Sequence, residues 1–270
     1  MKKERVDVLA FQQGLYETRE KAKRGIMAGQ VYDQNNLRLD KAGEKITIES
    51  ILHIKGEKLK YVSRGGLKLE KALECFDIAL DGKIVIDIGA STGGFTDVML
   101  QNGARLSYAV DVGTNQLAWR LRQDERVIVM EQYNFRYANL ADFNQGLPAF
   151  ASIDVSFISL ALILPALLPL LVNDGEVVAL IKPQFEAGRE QIGKNGIIKD
   201  AKVHLSVLEK TIEMMLSVGF SVEGLEFSPI TGGHGNIEFL AYLKKESPVR
   251  LNPEVNISEI VKLAHDRLHQ

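Results

Sequence analysis

Residues 83–97 read KIVIDIGASTGGFTD. The β-branched run Ile84 to Ile88 is interrupted only by Asp87 and stops at Gly89, and Gly93 and Gly94 then lead into FTDVMLQNG, a stretch of helical period. A short buried strand feeding a glycine-rich loop and a helix is the opening unit of a parallel α/β sheet. The alternation continues outward from it. RLSYAVDV (105–112), RVIVM (126–130), FASIDVSF (150–157) and EVVALIK (176–182) read as strands, and TNQLAWRLR (114–122), LALILPALLPLLV (160–172) and AKVHLSVLEKTIEMMLSVGF (201–220) as helices. Two further strand patterns, SVEGLEFS (221–228) and NIEFLAYL (236–243), suit a closing hairpin. The expected fold class is α/β, a doubly wound, Rossmann-like sheet.

The glycine spacing narrows the ligand. Gly89-x-x-x-Gly93-Gly94 does not fit the G-x-G-x-x-G of dinucleotide binders, and no P-loop occurs anywhere in the chain, which disfavours ATP. Asp87, Gly89 and Gly93 fit instead the D-x-G-x-x-x-G loop of methyltransferases that use S-adenosylmethionine (SAM), although plain strand-to-helix turns also use glycine. Asp111 ends the second strand 24 residues after Asp87. A carboxylate there can accept hydrogen bonds from both hydroxyls of a ribose. The expected cofactor-binding residues are Asp87, Gly89, Ser91, Gly93, Gly94, Phe95 and Asp111.

At 270 residues, with 46% hydrophobic and 25% charged residues, the chain can bury a large core beside a smaller second domain. The N-terminus, MKKERVDVLA, lacks the apolar run of a secretory signal, and the longest apolar stretch, Leu160 to Val172, is short for a bilayer and contains Pro165 and Pro169. A cytoplasmic protein without a membrane partner is expected. The single cysteine, Cys75, excludes an intrachain disulfide and is expected to be buried on a helix. His53, His204, His234, His265 and His269 show no ligand spacing, so no metal is expected. The net charge of -2 hides an asymmetry: residues 1–60 carry 13 Lys and Arg against 9 Asp and Glu, and the remainder 20 against 26.

The basic segment has two helical patterns, Arg5 to Gln13 and Thr18 to Met27, then two strand patterns, QVYDQ (30–34) and KITIES (45–50), separated by turn-prone Asn35-Asn36 and Gly43. Thr18 can N-cap the second helix, which carries Arg19, Lys21, Lys23 and Arg24. Such a face is either a solvated amphipathic surface or a phosphate-contacting one. The pattern R-x-D-x-L-A-x-x-x-G-L-x-x-T-R-x-x-A-x-x-x-I-x-x-G-x-V, Arg5 to Val31, resembles the αL RNA-binding domain of a ribosomal small-subunit protein and of pseudouridine synthases. Asn35-Asn36 stands where such domains have an Asn-Gly turn, so a wider hairpin is expected. The expected organisation is a small α+β RNA-binding domain at 1–56, a linker at 57–66 and the α/β domain at 67–270, with Arg5, Arg19, Lys21, Lys23, Arg24 and Arg64 as RNA-binding candidates.

The strand ends bear on the acceptor. Enzymes that methylate exocyclic amines carry [ND]-P-P-[YF] after the fourth strand, where this chain has Asp154-Val155-Ser156-Phe157. Enzymes that make 5-methylcytosine need a cysteine at that strand end or the next, and Cys75 precedes the first strand. A hydroxyl acceptor is left. A ribose 2′-hydroxyl is a weak nucleophile that must be held in line with the sulfonium methyl and lose its proton. Lys182 closes the fifth strand, ahead of Pro183, with Lys68 of SRGGLKLEKAL as the candidate second cation. A second cation or burial favours a neutral amine, whereas acidic neighbours orient it and favour the charged form.

Lys68, Asp154, Lys182 and Glu238 match, in order and context, the Lys-Asp-Lys-Glu set of the FtsJ-like ribose 2′-O-methyltransferases. With the segments YVSRGGLKL, ASIDVSFISL, LIKPQFEAG and GHGNIEFL, residues 5 to 243 resemble the TlyA family, also called hemolysin A, of ribosomal RNA 2′-O-methyltransferases. The resemblance implies SAM as cofactor and a cytidine of ribosomal RNA, free or within a ribosomal subunit, as substrate. It implies that Lys182 positions and activates the hydroxyl, that Asp154 and Glu238 orient the lysines, and that Lys68 completes the cluster. One rival reading, an RNA-binding protein with an inactive enzyme domain, sits badly with the intact set. The other, a membrane-lysing hemolysin, lacks apolar length and barrel repeats. Residues 184–199 are expected to form a loop over the substrate, Asn134 and Arg136 to contact adenine or RNA, and residues 253–268 a capping helix.

Overall fold

The computed structural model describes residues 3–27, 29–35, 37–55, 60–193 and 196–268. The chain divides into two units, Met1–Lys60 and Tyr61–Gln270. In the first, β1 (Lys3–Arg5) runs into α1 (Val6–Gln12), followed by α2 (Arg19–Met27), β2 (Val31–Asp33), β3 (Lys45–Thr47) and β4 (Leu52–Ile54). Val6, Leu9, Ala10, Ala22, Ile26 and Val31 supply its core. The Lys21 amide donates to the Thr18 hydroxyl at 3.2 Å, the cap foreseen for α2.

Strand pairing in this unit departs from the expected hairpin. β2 pairs with β4, and β3 with β1, both antiparallel. The cause is Asp33, whose Oδ1 accepts from the amides of Asn35 and Leu37, each at 2.9 Å. This side-chain closure reverses the chain at once, brings Arg38 opposite Tyr32, and leaves Lys45–Thr47 to a different partner. Asn36, part of the expected turn, lies outside the described residues.

The second unit contains α3 (Gly66–Cys75), β5 (Ile84–Ile88), α4 (Gly94–Gln101), β6 (Leu106–Val110), α5 (Trp119–Arg122), β7 (Val127–Met130) and β8 (Phe150–Ile153). It continues with α6 (Leu164–Leu167), β9 (Glu176–Ile181), α7 (Pro183–Glu186), α8 (Ala201–Val218), β10 (Ser221–Phe227), β11 (Phe239–Lys244) and α9 (Ile257–Leu268). One sheet of order β10-β11-β9-β8-β5-β6-β7 joins the strands, with β11 antiparallel to both neighbours and β5 to β9 mutually parallel. Both faces are covered. Along β9, Val177, Ala179 and Ile181 join the core beneath α6, α8 and α9, whereas Val178 and Leu180 join the core beneath α3 and α4. This two-sided period of two is why these strands read as continuous apolar runs.

Several expected elements are shorter or placed differently. The stretch 160–172 is not one helix but a 3-10 turn (Leu160–Leu162), α6 and a second 3-10 turn (Leu168–Leu170), with Pro165 and Pro169 at the starts of the last two. Proline lacks the amide that would continue the hydrogen-bond ladder. TNQLAWRLR yields only one helical turn, because Asn115 is left-handed (φ 54) and Ala118 is extended (ψ 136). Cys75, expected to be buried, ends α3 and is exposed. Tyr61 to Gly66, expected as linker, belong to the second unit: Tyr61 is buried and the Val62 amide donates to Asp97 at 2.8 Å. Residues 56–59 of the expected connector lie outside the described residues, as do 194–195 of the expected loop and His269. Among the described residues no helix is long and apolar enough to cross a membrane.

The turn from β5 into α4 fixes the sheet's working edge. Asp87 is buried, and its Oδ2 accepts from the amide (2.9 Å) and hydroxyl (2.7 Å) of Thr96 in the first turn of α4. Gly89 has φ 87, and a Cβ there would overlap the carbonyl oxygen of Asp154 at the end of the adjacent strand. Gly89→Ala should therefore cost at least roughly 1–3 kcal/mol from backbone strain alone, read as a lowered midpoint in urea.

Burial pushes the Asp87 carboxyl up to about 7, against the opposing hydrogen bonds from Thr96 and Ser152. Because the folded value lies above the unfolded one, the folded state holds an extra proton between the two, and stability present below about pH 4 is lost as pH rises through about pH 7. Asp87→Asn can keep the acceptor for Thr96 without that proton. The stability of wild type relative to Asp87→Asn should fall across this window, and parallel thermal-unfolding profiles of the two proteins would contradict a buried, proton-holding Asp87.

Candidate active site

The strand parity that fills the core beneath α3 extends one residue past three strand ends. Phe150, Leu180 and Leu240 share that core with Leu69 and Ala72 of α3. Asp154 after β8, Lys182 after β9 and Glu238 before β11 have the same parity, and α3 brings Lys68 to the same place. Lys182 Nζ lies 2.5 Å from Asp154 Oδ1, Asp154 Oδ2 3.8 Å from Lys68 Nζ, and Lys68 Nζ 2.6 Å from Glu238 Oε2. The result is a row of alternating charge. Lys68, Lys182 and Glu238 retain only 7%, 8% and 2% of their accessible surface, so each depends on its neighbours for charge compensation. All four residues singled out from the sequence are thus brought together.

Two further residues join them that the sequence reading did not select. Lys182 Nζ donates to Ser156 Oγ at 3.0 Å. Phe157 is 91% exposed, has φ 63, and lies 5.0 Å, ring centre to ring centre, from Phe185. Ser156 stands two positions after Asp154, a signal available in the motif itself. Exposure of an aromatic residue in left-handed backbone is a tertiary property with no sequence signature.

Beside this cluster, a trough of about 360 Å³ is bordered by Gly89, Ser91, Asp111, Asn134, Asp154 and Phe157. A recess of about 110 Å³, bordered by Ser63, Gly65, Asp87, Gly94 and Phe95, shares Gly89, Ser91 and Asp154 with it. Asp111 accepts from the amides of Ser91 and Gly113, each at 2.7 Å, which fixes the carboxylate and leaves each oxygen a lone pair for a hydroxyl. The expected cofactor residues therefore divide. Gly89, Ser91 and Asp111 border the trough, and Asp87, Gly94 and Phe95 the recess, where Phe95 is also core and Asp87 is committed to Thr96 and Ser152. Gly93 borders neither: the space of its missing Cβ is taken by Leu117 and Leu121, as that of Gly94 is taken by Ser63. The Asn134 side chain caps the 3-10 turn Phe135–Tyr137, and Arg136 lies over the Tyr137 ring.

In the first unit, Arg5 and Arg19 both pair with the buried Asp7, at 2.9 and 3.0 Å. The Arg5 guanidinium, aided by Arg19, holds the Asp7 carboxyl below the usual carboxylate range. Lys21 pairs with Glu17. Lys23 and Arg24 are exposed and make no ion pair among the described residues. In the second unit, Arg64 is exposed between two residues that border the recess. Among the described residues no group of His, Cys, Asp or Glu is arranged to hold a metal ion.

A model of the FtsJ-like methyltransferase family matches residues 61–245. The Bacillus subtilis protein YqxC, provisionally named an rRNA methyltransferase, is 60% identical over 272 residues, covering 100% of this chain and 96% of its own. The Mycobacterium tuberculosis protein named 16S/23S rRNA (cytidine-2′-O)-methyltransferase TlyA is 37% identical over 90% of each chain. A solved Streptococcus thermophilus structure, provisionally named a hemolysin, is 64% identical, covers 100% of this chain and 98% of its own, and superposes with a TM-score of 0.80. The chain belongs to the FtsJ-like methyltransferase family.

Proposed function

We propose that this protein transfers the methyl group of SAM to the 2′-hydroxyl of a cytidine in ribosomal RNA, in the cytoplasm. The observation that carries this reading is the buried Lys182-Asp154-Lys68-Glu238 row beside the trough, joined to the names of the relatives. The trough fits an adenosine: Asp111 offers acceptors for ribose hydroxyls, Ile88, Val110 and Ile163 supply apolar walls, and the adjoining polar recess suits an amino-acid end. Bound SAM supplies an electrophilic methyl on a sulfonium. The protein must bring the acceptor oxygen to it.

Lys182 is suited to that task. It donates to Asp154 and Ser156, which leaves a third N–H for the ribose oxygen and fixes the direction of that oxygen's lone pairs. Asp154 and Glu238 hold the two ammonium groups in place, and because Lys182 donates all three of its N–H bonds, the Asp154 carboxylate is the group that takes the hydroxyl proton as the carbon–oxygen bond forms. The exposed Phe157 ring, packed against half-buried Phe185 beside Lys182, offers an aromatic face to the base of the same nucleotide. Rigid attachment to strand ends supplies the precision that in-line displacement demands.

We assign rRNA capture to the N-terminal unit. Arg5 and Arg19 share one carboxylate, so that group keeps a net positive charge, and Lys23 and Arg24 add two more. Phosphate contacts of this kind release counterions and make binding salt-dependent.

Three measurements test the assignment. Lys182→Ala should lower methyl transfer to ribosomal subunits from a strain lacking the protein by roughly a hundredfold or more, with SAM affinity by calorimetry within a few-fold of wild type. Wild-type turnover would sink the reading. Asp111→Ala should do the converse, costing about 1–3 kcal/mol of SAM binding through lost charge-assisted hydrogen bonds. Replacing Lys23 and Arg24 together by alanine should weaken rRNA binding and reduce its log–log salt slope by about 2, leaving SAM binding unchanged.

A further inference from the structure

Lys182, Phe185 and Glu186 stand at i, i+3 and i+4 across the single turn of α7, so one side of that turn carries all three. Each meets the arch of residues 155–159 that joins Asp154 to the buried Leu160. Lys182 Nζ donates to Ser156 Oγ at 3.0 Å, the Phe185 ring lies 5.0 Å from Phe157, and Glu186 accepts from the Ser159 hydroxyl at 2.6 Å and the Leu160 amide at 2.8 Å. The three links follow chain order on both strands of the arrangement. Ser159 Oγ in turn accepts from the Ala161 amide at 3.1 Å, capping the 3-10 turn that enters the core.

The arch needs such a brace. Phe157 sits in left-handed backbone with its ring exposed, a conformation that persists only where the surroundings fix it. Glu186 makes no ion pair among the described residues; both its oxygens are spent on the foot of the arch, and burial pushes its carboxyl up in spite of those bonds. A carboxylate with both oxygens committed to the foot of one arch has a positional task.

We propose that Glu186 is a positioning residue of the methyl-transfer site: through Ser159 and Leu160 it fixes the arch that presents Ser156 and Phe157 beside Lys182, and so sets the approach of the acceptor ribose. The inference rests on the proposed 2′-hydroxyl reaction.

A double-mutant cycle in the full-length protein tests it, with methyl transfer to ribosomal subunits as the readout. Glu186→Ala should lower kcat at saturating subunits by roughly tenfold or more, because small misplacements of reacting groups are costly. Ser159→Ala should lower it several-fold, and the double variant should be no worse than Glu186→Ala, the signature of one shared contact. SAM affinity should stay within about twofold throughout, and Glu186→Gln, which keeps one acceptor oxygen, should regain part of the lost kcat. Should Glu186→Ala fail to fold, Glu186→Gln and Ser159→Ala carry the test. Wild-type kcat, losses that multiply in the double variant, or a loss matched by weaker SAM binding and not relieved by glutamine would overturn the proposal. Lys182→Ala in the same assay separates the two readings. If it is inactive while Glu186→Ala turns over normally, only the brace fails; if it is active, the reaction itself has been misassigned.

Discussion

Four charges lie side by side at one edge of the sheet, and the three that are buried, Lys68, Lys182 and Glu238, depend on their neighbours for charge compensation. Removing a partner from a buried ion pair commonly costs about 3–5 kcal/mol, because the remaining charge is left without water or counter-charge. Lys182, Asp154, Lys68 and Glu238 therefore stand or fall together, and the architecture can be understood as the means of assembling them. Two parallel strands end on Asp154 and Lys182, and a helix ahead of the sheet carries Lys68. The fourth arrives from the opposite direction, since β11 runs antiparallel and begins where its neighbours end. A wholly parallel sheet would have put the residue before that strand at the far edge.

Much of this was legible in the sequence, for identifiable reasons. Strands covered on both faces leave short apolar runs, rich in Val and Ile along β5, β7 and β9, and the strands from Ile84 onward lie within a few residues of the stretches read as strands. The polar residues at their ends stand out against those runs. Caps carry their own signature, and Asp200, which accepts from the Lys202 amide at 2.8 Å, starts α8 as Gly219 ends it.

What escaped depended on partners distant in the chain. The three-residue strands of the first unit are too short to show a period, and their pairing follows from where the Asp33 carboxylate turns the backbone. The proline-divided segment 160–172 is apolar on every side, which hides its breaks from any argument based on periodicity. The glycine loop misleads in a more instructive way. Its pattern suggested close approach of a ligand, yet two of its glycines make room for Ser63 and for Leu117 and Leu121. Glycine marks a crowded place without saying who crowds it.

The position of β11 also bears on how the molecule is completed. It lies between β9 and β10 although it is the last strand made, so until residues 239–244 leave the ribosome β9 is an open edge with unpaired amides and carbonyls. Glu238 enters with it, which means that Lys68 waits for its nearest counter-charge through 170 residues of synthesis. Contacts this distant in sequence form late, because the entropy of closing so long a loop must be met first. A nascent chain can thus own the glycine loop and the trough while still lacking the charge balance of its reaction centre.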